Sequence, residues 1–522
     1  MFFRTLQRIH LREQRAHRER AEITDLLVVL VVCFVLFVIV WSVLRTFWPA
    51  ELLLLAGATW PLVAALIVLI ANAQSARLRR EVSVGAALVL LVLTAAVVPS
   101  AFTAPVALTL HTVQAPAMAP LPFTLNLDRL GAVTLLVLVL VECAVCVFSA
   151  GYVPEGRNVS GYFALLWLAF AALNLTILAG DLVTLFAAAA FASLTLMLLV
   201  ALDFADDGAA AGLKLFVMTG LAAVAGLAVT WLIFAELADL RLTTLAEHAN
   251  RLAVPGWPPA LTVLLVALAV RAGLAPFHTW ATSAGRVALP TIGALVNVVG
   301  LVGSSVVLVR VLVHVLPATR EETDLIGSLG AATVVVGALG VLRATTAVHG
   351  LAFLAIVQTG LAAVALGLGR TAVGPELAVF HVWNAGLALG LLYLTLAWLQ
   401  RQMDVLRGET VWRGMPLGLA LVVGSVSTAA LPGTNGHLPR ALLIARLLQE
   451  EGTLPILWLV TVLLGTVVTM WFSLRLLWPS SGDAGPAHAV DGVRGIPRQI
   501  VVGKLPRTVG VPLAVLTGVL VL

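Results

Sequence analysis

Hydrophobic positions along the chain fall into blocks separated by short polar linkers, and the blocks have the length of ~20 residues that ~30 Å of bilayer hydrocarbon demands of a helix. Such blocks lie at about 26–44, 52–72, 83–100, 130–150, 160–179, 182–202, 212–235, 258–275, 288–316, 325–343, 347–368, 375–399, 414–449, 454–478 and 506–522, which predicts about fifteen spans. Three linkers are longer: a charge-poor one at 101–127, a polar one at 236–257 and one with Gly, Pro and Ser at 479–505. No separate soluble catalytic domain fits between the spans.

Composition sharpens this picture. Of 522 residues 61% are hydrophobic and 11% charged, against roughly a quarter charged in an average soluble domain. A soluble globular protein is excluded, and the expected class is an all-α polytopic membrane protein. The net charge of +5 is spread through loops and tails, so it reads as the bias of cytoplasmic loops, and nucleic acid is not an expected partner. Cys33, Cys143 and Cys146 all lie in apolar stretches without a second Cys or His cluster, so neither a disulfide nor a metal site is expected. A Rossmann glycine fingerprint, a P-loop, HExxH and a Cys set for iron–sulfur ligation are absent as well. The chain is expected to hold no cofactor and to be no enzyme by itself; redox or ATP chemistry would belong to a partner.

Residues 1–25 form a basic arm with many Arg and no apolar core, unlike a signal peptide. The positive-inside rule places the arm in the cytoplasm, and the chain in the cell (inner) membrane as a multi-pass protein. With each span reversing the chain, the loops bearing Arg77, Arg79 and Arg80, then Arg401, Arg407 and Arg413, then Arg494, Arg498, Lys504 and Arg507 all fall on that same side. The expected organisation is the arm at 1–25, an additional transmembrane helix at 26–45, first core helices at 46–150, a first repeat at 151–316, a second at 317–478, and a cytoplasmic linker with the last helix at 479–522.

Two spans are interrupted. The first break is Arg271-Ala-Gly-Leu-Ala-Pro-Phe-His278-Thr-Trp280; the second is Leu431-Pro-Gly-Thr-Asn-Gly-His437-Leu-Pro-Arg440. Each couples Pro and Gly to a His and an Arg, and each is the fourth span of a five-span unit, 160–316 and 325–478. Broken backbone at membrane depth is tolerated only where it is enclosed or lines a wet cavity. Breaks at matching positions of two halves point to a transporter built from inverted repeats, whereas ordinary proline kinks are the plainer alternative.

The order of several short motifs resembles the antiporter-like membrane subunits shared by respiratory complex I, membrane-bound hydrogenases, Mrp-type cation antiporters and DAB-type inorganic-carbon pumps. Leu127-Asp-Arg-Leu130 looks like the family's "LDxLS", Gly212-Leu-Lys214-Leu-Phe216 like "xxKxF", Pro276-Phe-His-Thr-Trp280 like "PFHxW" and Gln358-Thr-Gly360 like "SQxG". Phe380-His381 with Leu391-Leu392 is similar to the helix written "HxxxHAxxKAxLF", and Arg413-Gly-Met-Pro416 with Leu431-Pro-Gly433 to "MPxT" and "LPP". The resemblance covers about 52–522. It implies a core of about fourteen helices with two inverted five-helix repeats and broken helices, plus one additional amino-terminal helix.

By that resemblance the chain lacks several of the family's titrating groups. The expected glutamate of "LFxxWE" falls on Ala190 and the broken-helix lysine on Arg271; a His or Lys falls at or beside Asn297. In the other half, His and Lys of "HAxxKA" read Asn384 and Ala388, and Lys or Glu reads Arg440. Arginine does not deprotonate readily, so Arg271 and Arg440 shape a field and are poor relay stations. Conduction through a reduced set of Lys214, His278, His381, His437 and ordered water competes with a non-conducting scaffold, or an anion path favoured by Arg, Asn and half-helix amino ends.

Single positions carry their own alternatives. Lys214 suits a toggling amine or a snorkelling boundary lysine, and His278 a proton shuttle or a hydrogen-bond partner for carbonyls freed by the break. Glu142 is an intramembrane acid, functional by default, with structural pairing to Arg343 or Arg310 as the alternative. His381 shares a helix face with Asn384 and Ala388, whereas Arg310 and His314 read as interfacial. Trp41, Trp48 and Trp478 fit an aromatic belt.

The function expected from all this is a proton- or cation-conducting membrane subunit of a multisubunit complex, with at least one further protein subunit, peripheral on the cytoplasmic side, and membrane lipid as partners. The loss of relay stations favours a short complex such as DAB-type uptake of dissolved inorganic carbon. An antiporter-like arm subunit of a complex I or hydrogenase type oxidoreductase and a degenerate scaffold are the alternatives.

Overall fold

The computed structural model describes residues 40, 42–72, 75–114, 119–153, 159–202, 207–252, 257–314, 320–369, 373–405, 410–411, 415–477, 499–500 and 507–521. The basic arm, nearly all of the additional first span, Cys33, Arg407, Arg413, Arg494, Arg498 and Lys504 lie outside these residues. The chain is helical almost throughout, because hydrocarbon leaves a backbone no other partner than itself. In order come α1 (Ala50–Asn72), α2 (Ala76–Val97), α3 (Arg129–Tyr152), α4 (Val159–Leu178), α5 (Leu182–Val200), α6 (Gly208–Leu237), α7 (Pro258–Arg271), α8 (Thr279–Val287) and α9 (Pro290–Val313). They are followed by α10 (Arg320–Arg343), α11 (Ala347–Gly367), α12 (Gly374–Val405), α13 (Met415–Thr428), α14 (His437–Leu447), α15 (Thr453–Leu477) and α16 (Arg507–Val521).

Among the described residues 11 helices are long and apolar enough to cross a membrane, and three shorter apolar ones, within α7, α13 and α16, bring the count to 14. Both expected interruptions are present: α7 stops and α8 resumes, and α13 stops and α14 resumes. The units α4–α9 and α10–α15 each carry the broken helix fourth. The apolar block at 414–449 is therefore two half-helices, not one span.

The inner helices α9, α11 and α12 are almost wholly enclosed, and α1, α6 and α15 carry outward apolar faces such as Leu66, Leu221 and Val467. Those faces are what a helix bordering lipid or another subunit requires.

The charge-poor segment 101–127 is not a plain linker. Val106–Val113 pairs antiparallel with Leu121–Leu127, with a register irregularity between Thr109 and His111. One buried carboxylate fixes this hairpin to the helices. Asp181 accepts from the backbone N–H and hydroxyl of Thr124 at 2.6 and 2.9 Å, and from the backbone N–H and hydroxyl of Thr184 at 2.7 and 2.8 Å. It thereby caps α5. The polar linker at 236–257 likewise contains the short helix Leu242–His248.

Arg310, near the end of α9, does not face solvent. It is buried, donates to Asp128 and to the Ile177 carbonyl, each at 2.6 Å, and Asp128 caps α3 through Gly131. Arg310 is thus already paired and Arg343 is exposed, so neither structural partner expected for Glu142 is available. Trp48 is exposed just ahead of α1, and Trp41 and Trp478 lie outside the described residues.

Candidate functional site

The two breaks are built alike. At the end of α7 the N–H of Leu274 reaches the Ala269 carbonyl at 3.0 Å and that of Gly273 reaches Val270 at 3.1 Å. At the end of α13 the N–H of Leu431 reaches Val426 and that of Ala430 reaches Ser427, both at 3.1 Å. Both are Schellman closures, in which the residue after the cap turns left-handed. Gly273 does so at φ +67° and Ala430 at φ +60°. A proline follows each closure, Pro276 and Pro432, and keeps the helix from resuming at once.

Carbonyls at the breaks also meet side-chain nitrogens. Trp280 Nε1 donates to the Val270 carbonyl at 2.9 Å, and His437 Nδ1 lies 3.1 Å from the Ala430 carbonyl. His437 therefore takes the hydrogen-bonding role, at an exposed rim. His278 is half-buried and its Nδ1 has no partner among the described residues.

Arg271, the last residue of α7, is buried and enters a cradle of neutral oxygens. Its Nη1 donates to the Ala189 carbonyl at 3.1 Å, the Ser193 hydroxyl at 3.3 Å and the Thr219 carbonyl at 3.5 Å. Ala189 stands next to Ala190, the position where the resemblance expects a glutamate, so no carboxylate answers the guanidinium there. In the other half Arg440, equally buried, donates from Nη1 to Thr466 at 2.9 Å and from Nη2 to Gln358 Oε1 at 3.1 Å. Neither arginine forms an ion pair among the described residues.

The enclosed helices bury further polar side chains. Asn297 sits in a π-helical stretch of α9, Leu295–Gly300, a local widening that is frequent at functional sites. Its Nδ2 donates to the Tyr393 hydroxyl at 3.2 Å, which ties the first half to α12 of the second. Further along α12, Asn384 accepts from Ser427 Oγ at 2.7 Å. Gly436 closes tightly on that pair: a Cβ there would run into the Ser427 carbonyl and meet Asn384 Nδ2 at 2.8 Å. His381, one turn before, is buried, and both its ring nitrogens lack a partner among the described residues, as do Arg440 Nε and Gln358 Nε2.

Lys214 stands apart. It is exposed on α6 and donates from Nζ to Ser283 on α8 at 3.1 Å. The structure thus gathers Asn297, Asn384, His381 and Arg440 with Gln358 around the enclosed helices, puts Arg271 in the first half's cradle, and leaves Lys214 and His437 at the edges. Glu142 lies in neither cluster; it faces Asn174 of α4, whose Nδ2 donates to Oε2 at 2.9 Å. Sequence reasoning missed Ser193, Thr219, Tyr393, Ser427 and Thr466. Their signal was weak, since Ser, Thr and Tyr in a membrane helix also bond their own preceding turn.

Helix order, paired breaks and the enclosed polar side chains define an antiporter-like polytopic membrane protein. The family described as "NADH:quinone oxidoreductase/Mrp antiporter, TM" matches residues 179–469, more than half of the chain, and the chain belongs to it. It is 29% identical over 322 residues to "NADH-quinone oxidoreductase subunit N" of Rhodopseudomonas palustris, covering 60% of this chain and 68% of that protein. A "NADH-quinone oxidoreductase subunit L" of Pseudomonas aeruginosa is 26% identical over 320 residues, 59% of this chain and 51% of that one. In fold it is similar to a chain of the archaeal membrane-bound sulfane sulfur reductase, with a TM-score of 0.77, 21% identity, and coverage of 90% and 94% of the two chains. It is also similar to one of the Mrp complex from Dietzia, with 0.72, 18%, 89% and 93%.

Proposed function

We propose that the chain conducts protons, or a small cation, as a membrane subunit of a larger complex and couples that flow to a partner on the cytoplasmic face. The observation that carries this reading is the pair of buried arginines, one at each matching break and each held by neutral oxygens, in a protein whose enclosed helices also bury the polar pairs Asn297–Tyr393 and Asn384–Ser427. A charge enclosed without a counter-ion is costly unless it does something. A fixed guanidinium raises the free energy of a cation passing nearby, so it gates a path that the imidazoles of His278 and His381, the amine of Lys214 and water would carry. A scaffold would have no use for such charges, and their replacement by apolar residues would relieve it.

The partner distinguishes two forms of the proposal. The relatives named oxidoreductase subunits favour an arm of a quinone- or ferredoxin-linked complex. The absence of a carboxylate at Ala190 and of lysines at Arg271, Ala388 and Arg440 favours a shorter assembly, such as one that drives uptake of dissolved inorganic carbon. Purification of the intact complex settles the choice: flavin or iron–sulfur proteins support the first, a zinc-containing carbonic-anhydrase-like protein the second. Conduction itself is tested by pH-driven ion flux in liposomes carrying the whole complex. Flux absent from an assembled wild-type complex under every gradient would overturn it.

A further inference from the structure

Glu142 lies on α3, fully buried, away from both breaks. Three elements enclose it. From α4, Asn174 donates one amide N–H to Oε2 at 2.9 Å. On α3 itself the neighbouring thiols donate to backbone carbonyls of α2, Cys143 to Ala87 at 3.1 Å and Cys146 to Ser83 at 3.5 Å. Also on α2, one turn before Ser83, Arg79 lies over the Phe163 ring at 5.9 Å. Tyr162 of α4 is engaged with Ser149 at 2.7 Å and with Thr291 at 3.1 Å. No cation forms an ion pair with Glu142 among the described residues.

What remains is an imbalance of donors. Glu142 Oε1 and Asn174 Oδ1 are both buried and both lack a partner among the described residues. As a carboxylate, Glu142 has acceptors only, and the amide carbonyl is an acceptor too. Two orphan acceptors on a pair already joined by one hydrogen bond lack a single donor between them. One proton on the carboxyl supplies it, and also removes a buried charge that no cation answers.

We propose that Glu142 is a protonated carboxylic acid held by the Asn174 carboxamide, and that from α3, outside both repeats, it supplies an acid to the conduction path in place of the carboxylate missing at Ala190. The second clause rests on the conduction proposed above; the first does not. The proton resides on Oε1, the Asn174 amide donates to Oε2, and release requires a base to reach the pair.

The test uses the full-length chain in its complex, labelled with ¹³C-glutamate, in isotope-edited infrared spectroscopy at neutral pH. The expected result is a carboxylic C=O band that is missing in Glu142→Gln and shifted in frequency in Asn174→Leu. Glu142→Gln places an NH₂ donor where the acid proton would be, so it should assemble, and its flux should fall by about tenfold or more. Absence of a protonated-acid band sensitive to Glu142→Gln overturns the proposal. A band present with full flux in Glu142→Gln overturns the role in conduction. A band present in a wild-type complex without flux leaves the protonated pair standing and removes the conduction reading instead.

Discussion

The two broken helices use the same closure and the same charge in opposite settings. Arg271 ends α7, where the carboxyl end of the helix dipole favours a cation, and it is held mostly by backbone carbonyls. Arg440 lies in the opening turns of α14, where the dipole opposes a cation, and it is held only by side chains, with its Nε left over. The first setting combines backbone acceptors with a favourable dipole; the second combines side-chain acceptors with an opposing one. Unpartnered polar atoms of Gln358 and His381 collect around the second.

Removing each charge is the strongest way to break that contrast. Arg440→Met and Arg271→Met are each expected to lower flux by about tenfold or more, while thermal stability of the complex is kept or rises by ~1–2 kcal/mol, since an unpaired buried charge is replaced by apolar volume. A loss of stability in either variant with flux unchanged would mean the arginines are structural. Arg271→Lys should retain flux better than Arg440→Lys, because an ammonium still satisfies carbonyl oxygens but cannot span Thr466 and Gln358 as a fork does.

The backbone closures give a smaller and opposite pair of effects. Gly273→Ala is expected to destabilise by ~1–2 kcal/mol, because the left-handed φ is strained for any other residue, and the added Cβ would approach Leu301 Cδ2 at 2.9 Å. Ala430→Gly, relieving the same strain in the second half, should stabilise by ~1 kcal/mol. Thermal unfolding in detergent measures both, and equal signs would refute the shared geometry.

The smallest effect lies away from both breaks. Asp239, just beyond α6, loses some solvation, which would push its carboxyl up, but hydrogen bonds from Arg241 and Thr244 outweigh this and hold it below the ordinary carboxylate value. Its contribution is therefore present above the unfolded value of ~3.9 and lost as pH falls through the folded one. Because the Arg241 side chain is 54% exposed, Asp239→Asn should cost ~0.5 kcal/mol or less at neutral pH and nothing in strong acid, in urea titrations at the two pH values. It should leave flux untouched.

The hydrophobic pattern alone determined the membrane class, the spans and the two interruptions, because hydrocarbon thickness sets block length and Pro with Gly cannot continue a helix. The resemblance in motif order reached the family. Partners were beyond it. The pattern of charge left Glu142 a choice of Arg310 or Arg343, and only the tertiary structure gave Arg310 to Asp128 and Glu142 to Asn174. It also folded 106–127 into a hairpin fixed by Asp181, since strands need a partner that local sequence does not name. Periodicity and composition are properties of one segment; which buried donor meets which acceptor depends on several segments arriving together, and that only packing decides.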